Sequence, residues 1–288
     1  MVCFIILHYN SIKDTERCIA SIMKMNEVKD SRIVIVDNAS PNQTGRILAE
    51  KYAACEWIDV MLRKSNDGFS VGNNDGYCYA KRKWDPDFVV VTNNDIEFCQ
   101  KDFIERIKNE YKCSYFAILG PDIYVPLNKV HQSPMAKKPP SKSRVGVTIL
   151  LNQLVLSIYP IIYPLIKEYF RRMEACAQSQ SYEVYQEDVC LMGACLIYSK
   201  EYMNARDKIF EPETRFYYEE NIQTLWCIYN KKKIVYQPNI MVYHMQGKAT
   251  KTVDTRQKDR IKFRVKNILS SARVYKKFLL EMKKEENI

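Results

Sequence analysis

The chain alternates short, wholly apolar runs with longer stretches of helical periodicity. VCFIIL (2–7) is apolar at every position, so neither face suits water; this is the pattern of a strand buried in a parallel sheet. Ser11 follows as a predicted N-cap, and Ile12, Cys18, Ile19 and Ile22 fall at helical spacing. RIVIVDNAS (32–40) predicts a second strand that turns polar at Asp37 and Asn38. A helix is predicted over about 42–54 and a third strand at WIDVMLRKS (57–65). NDGFSVGNNDG (66–76) reads as a glycine-containing loop leading into a helix through Arg82, and FVVVT (88–92) is the fourth strand. Strands separated by single helices and short connections predict an α/β fold with a mainly parallel sheet and helices on both faces.

Asp37, Asn66 and Asp95 are spaced 29 residues apart, about one strand–helix–strand unit. If their strands run parallel, all three emerge at the carboxyl edge of the sheet, where open α/β sheets bind ligands. The second half is less regular. A strand is predicted within 113–125 (YFAILG), then a basic, Pro-rich loop, HQSPMAKKPPSKSR. VGVTILLNQLVLSIYPIIYPLIK (145–167) is the most apolar segment. It approaches the roughly 20 residues of a membrane span, yet contains Asn152, Gln153, Pro160 and Pro164 between basic clusters. It is read as a helix lying on a membrane or lining an acceptor groove, with core packing as the alternative. MGACLIYS (192–199) is a further strand and FYYEENIQTLWCIY (216–229) follows it. KIVYQ and IMVYH form a pair of strands, and a basic helix over about 257–283 comes last.

Composition narrows the class. The net charge is +10, with denser basic runs at 137–144 and 262–284, which suits anionic partners. Ten cysteines without a C-x-x-C pair lie mostly in apolar runs (Cys3, Cys18, Cys99, Cys195), predicting reduced core thiols in a cytoplasmic protein. MVCFIILHYN has neither a positive n-region nor a small-residue cleavage site, so a signal peptide is not expected. No nucleic-acid-binding motif appears.

Several pieces carry recognisable chemistry: the first strand with His8-Tyr9-Asn10, VIVDNAS, NDGFSVGNNDG, Asn93-Asn94-Asp95, GACLIYS, FYYEEN and IVYQP…VYH. Their order and spacing resemble the family 2 glycosyltransferases of the GT-A fold over about residues 2–247, in the branch that builds bacterial surface polysaccharides, including rhamnosyltransferase-like enzymes. The resemblance implies a GT-A domain over 1–247, with a nucleotide-sugar-binding half (1–125) and an acceptor-binding half (126–247). A basic helical extension (248–288) follows. It also implies inverting transfer from a UDP- or dTDP-linked sugar to a glycan or polyprenyl-diphosphate-linked acceptor. The location expected is the cytoplasmic side, peripheral to the inner face of the cell membrane.

By the same resemblance, His8, Tyr9, Asn10, Asp37, Asn66, Gly68, Gly72, Asn73, Asn94 and Asp95 are expected to contact the donor. Asp37 at a strand end can accept from a base N–H or a ribose hydroxyl; a helix-capping turn is its alternative. Gly68 and Gly72 would let backbone approach an anion near a helix N-terminus. The family's D-x-D reads Asn93-Asn94-Asp95 here, so one carboxylate remains for Mg²⁺ or Mn²⁺, with His244 as a second metal ligand and substrate phosphates completing the shell. Glu219 and Glu220 stand where the family has Glu-Asp. The second residue of that pair is usually the base, so Glu220 is expected to deprotonate the acceptor and Glu219 to orient it. Acidic residues also favour helix N-termini for dipole reasons, and Tyr217 and Tyr218 suit either sugar stacking or packing. A nucleotidyltransferase would want a glycine-rich loop after the first strand, and Leu7–Ser11 has no glycine. A glycosidase pair is excluded because adjacent carboxylates cannot flank a scissile bond. A non-catalytic binding protein is the other alternative.

Overall fold

The computed structural model describes residues 1–175, 181–246 and 257–285. Four parallel strands, β1 (Val2–His8), β2 (Arg32–Asp37), β3 (Ile58–Leu62) and β4 (Phe88–Asn93), alternate with the helices α1 (Ile12–Ile22), α2 (Thr44–Lys51) and α3 (Phe69–Trp84). Further along come β5 (Ile96–Glu97), α4 (Phe103–Ser114), β6 (Ile118–Val125), β7 (Val130–His131), α5 (Lys142–Ser157), α6 (Tyr159–Ala175) and β8 (Gln186–Glu187). Last are β9 (Cys195–Ser199), α7 (Lys200–Ala205), α8 (Glu219–Tyr229), β10 (Ile234–His244) and α9 (Gln257–Glu285).

The sheet runs β3-β2-β1-β4-β9-β6-β10-β5, with β9 antiparallel to both neighbours and β6 parallel to β10. Alternation along β1 divides the interior. Cys3 and Ile5 face a core built with Tyr77 and Ala80 of α3, while Phe4 and Ile6 face Cys18, Leu48 and Phe103. The inner side of α9 (Ala272, Tyr275, Phe278, Leu279) joins the first of these cores.

Several expectations are corrected. β6 begins at Ile118, because 113–114 close α4. The two strands expected in the 230s and 240s are one, β10. Its ladder with β6 shifts register between Gln237 and Met241, at Pro238, which has no N–H to give. The apolar segment is two helices that break at Ile158, with Pro160 in the first turn of α6, where its missing N–H costs nothing. No described helix is long and apolar enough to cross a membrane. Nine cysteines are described and all are free thiols. Cys3, Cys18 and Cys195 are buried as expected, whereas Cys99 is exposed. The boundary expected at 247 lies outside the described residues.

Candidate active site

Register aligns the carboxyl ends of the parallel strands: His8 pairs with Asp37, Leu7 with Asn93, and Asp37 with Leu62. Asp37 is buried under the turn that follows it and accepts from the Ser40 N–H (3.2 Å) and the Ser40 hydroxyl. Gly45 makes room for this, since a Cβ there would lie 2.2 Å from the carboxylate. His8 is fully buried, with Nδ1 2.6 Å from the Thr15 hydroxyl and Nε2 2.9 Å from that of Thr44. Burial lowers its pKa to about 4 against a smaller opposing pull from Asp37, so the ring is neutral. Its role here is to tie β1 to α1 and α2; both ring nitrogens are engaged by the protein. Asn10 holds a left-handed backbone (φ 64°), and its N–H donates to the Ser40 hydroxyl at 2.9 Å. Its side-chain oxygen is buried without a hydrogen-bond partner.

The turn before α3 is organised by Asn38, whose amide donates to Asn66 Oδ1 and to the Gly68 carbonyl, both at 3.1 Å. Arg63 donates back to Asn38 Oδ1 at 2.6 Å and pairs with Asp67 and Asp75. Gly68 needs its glycine: φ is +106°, and a Cβ would meet the Arg215 carbonyl at 2.4 Å. The expected loop is shorter than 66–76, because α3 already starts at Phe69. Gly72 therefore lies in the helix and lets it close on Leu7, which a Cβ would approach to 2.7 Å. Asn73 is also helical and fully buried. Its amide donates to the Phe69 carbonyl at 3.0 Å, and its Oδ1 has no partner. Asn94 likewise turns inward, donating to the Thr15 hydroxyl at 3.1 Å.

The carboxylate pair opens α8. Two successive residues before it, Tyr217 (φ 71°) and Tyr218 (φ 73°), are left-handed, a conformation that costs a side-chain-bearing residue about 1–2 kcal/mol. Glu219 is buried, and its Oε1 has no hydrogen-bond partner. Glu220 Oε1 accepts the Gly193 N–H at 3.2 Å; a Cβ on residue 193 would sit 2.3 Å from that oxygen. Burial raises both pKa values. The charge of Glu220 raises Glu219 further, to about 8, while backbone N–H groups, that of Gly193 included, favour ionised Glu220. The two carboxyls thus differ in their surroundings: Glu220 accepts a backbone N–H, whereas Glu219 Oε1 meets no donor.

Contacts carry this pair to the strand ends. Gly193 precedes Ala194, whose carbonyl accepts the Asn93 N–H at 2.9 Å at the end of β4. On the other side, pairing of β10 with β5 brings His244 Nε2 to 3.3 Å from Asp95 Oδ1, while His244 Nδ1 lies 2.7 Å from Gln132 Oε1. Gln132 accepts there, so Nδ1 carries the proton. Nε2 then faces the carboxylate oxygen across that 3.3 Å. This donor set fits a hard divalent ion that takes its remaining ligands from phosphate and water. No group of three or more His, Cys, Asp or Glu side chains suited to a metal occurs among the described residues.

Residues 3–172, more than half of the chain, match the family described as Glycosyl transferase family 2. The chain belongs to that family. With membership come glycosyl transfer and a nucleotide-sugar donor. The fold is similar to that of S. aureus TarS residues 1–349: the TM-score is 0.54 at 16% identity, covering 94% of this chain and 72% of that one. The same TarS fragment in complex with UDP gives 0.54 at 17%, covering 92% and 70%. Against the crystal structure of TarS itself the match covers 90% of this chain and 42% of that one, at 16% identity. At such identities the likeness is one of fold, and the sheet order with its C-terminal helix is that of the GT-A type. No curated protein matches the sequence significantly.

Within this family 2 chain, Asp95 and His244 come together, and the contacts of Gly193 and Ala194 join Glu220 to the end of β4. His8, Gly72, Asn73 and Asn94 instead serve packing around the strand ends. Four contributors escaped sequence reading: Asn38, Arg63, Gln132 and Gly193. Gly193 fell inside the strand predicted over 192–199, and an isolated glycine in a strand pattern was a usable sign of close approach. Gln132, in a polar loop without periodicity, gave no sign.

Proposed function

We propose that the chain is an inverting glycosyltransferase that moves a sugar from a UDP- or dTDP-sugar to a hydroxyl of a glycan or lipid-linked acceptor. The observation that carries this reading is the buried carboxylate pair at the start of α8, with Glu220 accepting the Gly193 N–H and the next residue, Ala194, accepting the Asn93 N–H at the end of β4. In a single displacement the acceptor oxygen bonds to the anomeric carbon, the bond from that carbon to the diphosphate oxygen breaks, and the hydroxyl proton passes to Glu220. Glu219 keeps its proton and orients the acceptor. Asp37, together with Tyr9, Asn10, Asn66 and Gly68 of the segments that follow β1 to β3, receives the nucleoside. Asp95 and His244 would hold Mg²⁺ or Mn²⁺, which when bound would neutralise charge on the departing diphosphate.

The acceptor side suggests a membrane. Val147, Leu150, Leu151 and Leu154 of α5 and Ile161 and Leu165 of α6 point outward, Ile161 at 80% exposure, with Lys142, Arg144, Arg171 and Arg172 near the two ends. This pattern suits peripheral binding to an anionic inner leaflet and delivery of a lipid-linked acceptor. The test is a donor screen by thermal shift and turnover with UDP-, dTDP- and GDP-sugars, with and without Mn²⁺. A UDP- or dTDP-sugar is expected to raise the melting temperature by mass action and to be turned over with Mn²⁺ present. If no nucleotide sugar binds or reacts, the reading is wrong.

A further inference from the structure

Beside the carboxylate pair is a cavity of about 280 Å³ that the reaction so far leaves without an occupant. Its polar wall comes from Lys138, Arg144 and Thr148 on one side and from Tyr218 and Asn221, the immediate flanks of Glu219-Glu220, on the other. Ala136 and Pro140 complete the lining, so no carboxylate faces the space. Lys138 and Arg144 are exposed, and neither pairs with an acid among the described residues.

The walls are also held in place. Ala136 bridges Cys190 through its backbone, Tyr275 donates to the Pro140 carbonyl at 2.7 Å, and the Tyr218 ring packs on that of Tyr275 at 5.3 Å. A braced hollow lined by side chains that can donate, two of them cationic, recognises an anion with several acceptor oxygens. None of its lining residues belongs to the ends of β1 to β4, nor to the Asp95–His244 pair, so the anion is not the donor diphosphate. Its volume is near the lower limit of small-molecule clefts, room for a phosphate with a short polyol or one sugar.

We propose that this cavity binds a phosphate group carried by the acceptor, which sets the reacting hydroxyl at a fixed distance from the carboxylate pair. The proposal rests on the glycosyl-transfer reading for the word acceptor, but not for the binding of phosphate. Lys138 and Arg144 supply charge, while Tyr218 and Asn221 supply directed hydrogen bonds. The site therefore prefers a phosphorylated acceptor over its neutral counterpart.

Calorimetric titration with glycerol 3-phosphate and with glycerol, both with UDP saturating the donor edge, tests this. Glycerol 3-phosphate is expected to bind at least tenfold more tightly than glycerol. The K138A/R144A double variant is expected to lose at least tenfold of that affinity while its affinity for UDP stays at the wild-type value. Both side chains are exposed, and an unchanged melting temperature without ligand checks the fold. Equal phosphate binding by the double variant overturns the proposal. So does a parallel fall in UDP affinity, which would assign the cations to the donor. If UDP fails to bind the wild-type chain, the donor reading falls, and the glycerol 3-phosphate titration without UDP still decides the cavity. Phosphatidylcholine vesicles doped with phosphatidic acid separate the two sources of phosphate: binding to these alone marks a lipid headgroup, binding to soluble glycerol 3-phosphate marks a free phosphate, and binding to neither overturns the proposal.

Discussion

The two sides of the site are built on opposite principles. At the ends of β1 and β2, most polar groups are already matched: Asp37 by Ser40, His8 by Thr15 and Thr44, Asn38 by Asn66, Gly68 and Arg63. At the start of α8, two consecutive residues take left-handed backbone, and a buried carboxylate oxygen lacks a partner. Satisfied networks give a rigid seat for a ligand that is always the same. Left-handed backbone and an unmet buried oxygen also occur on the first side, at Asn10; what sets the start of α8 apart is that the unmet oxygen belongs to a carboxyl held there by surrounding packing. The difference therefore separates recognition from chemistry, and it can be attacked on either side.

The largest effect is expected from the strained side. Glu220→Gln should lower kcat by about 10²–10⁴-fold, the usual contribution of a general base, with UDP affinity retained. Gly193→Ala should act in the same direction, because its Cβ would displace the Glu220 carboxylate. Turnover and UDP titration of both variants check this, and equal turnover in Glu220→Gln would move the base elsewhere.

On the matched side, Gly68→Ala should cost stability more than chemistry, about 1–3 kcal/mol, because a side chain at φ +106° is strained and meets Arg215. Denaturant unfolding measures it.

The pH dependence distinguishes the two sides next. Glu219 ionises at a higher pH folded than unfolded, so its protonated form favours the fold. That stability is complete below the unfolded value near 4.5 and is lost as pH rises through about 8. The unfolding free energy should fall over that interval by an amount on the order of a few kcal/mol, the melting temperature should fall with it, and Glu219→Gln should flatten the slope. A wild-type slope in the variant would show that other groups are responsible.

A smaller change is expected from Asp95→Asn: Mn²⁺-supported UDP binding should weaken about tenfold, roughly 1.4 kcal/mol, while metal-free binding changes little. Smallest in stability is Leu150→Glu with Ile161→Glu on the outer face of α5 and α6, within about 0.5 kcal/mol. Vesicle flotation should nevertheless lose the protein from anionic membranes, and undiminished flotation would assign membrane contact to another surface.

Legibility followed the same division. The parallel strands could be read because burial on both faces leaves an unbroken apolar run, as at Phe4–Ile6 and Val89–Val91. Asp95, His244 and the Glu219–Glu220 pair were singled out by their place in the family motifs, and the fold brings Asp95 to His244. What escaped was whatever depends on distant neighbours. Gly72 looked like a phosphate loop and is a helix–strand contact with Leu7, and Asn94 looked outward and turns to Thr15. Residues 145–167 showed only their apolar content, whereas the break at Ile158 depends on α6 docking its Ile166 and Phe170 against Ile261 and Val265 of α9.

That last helix has a mechanical consequence. Ser271 of α9 donates to the Phe216 carbonyl and Tyr275 to that of Pro140, both at 2.7 Å. A single rod is thus bolted to the Tyr217-Tyr218 turn and to the opposite wall of the cavity. The turn before α8 and the opposite wall of the cavity therefore take their positions from one helix, which forms no part of the family motifs.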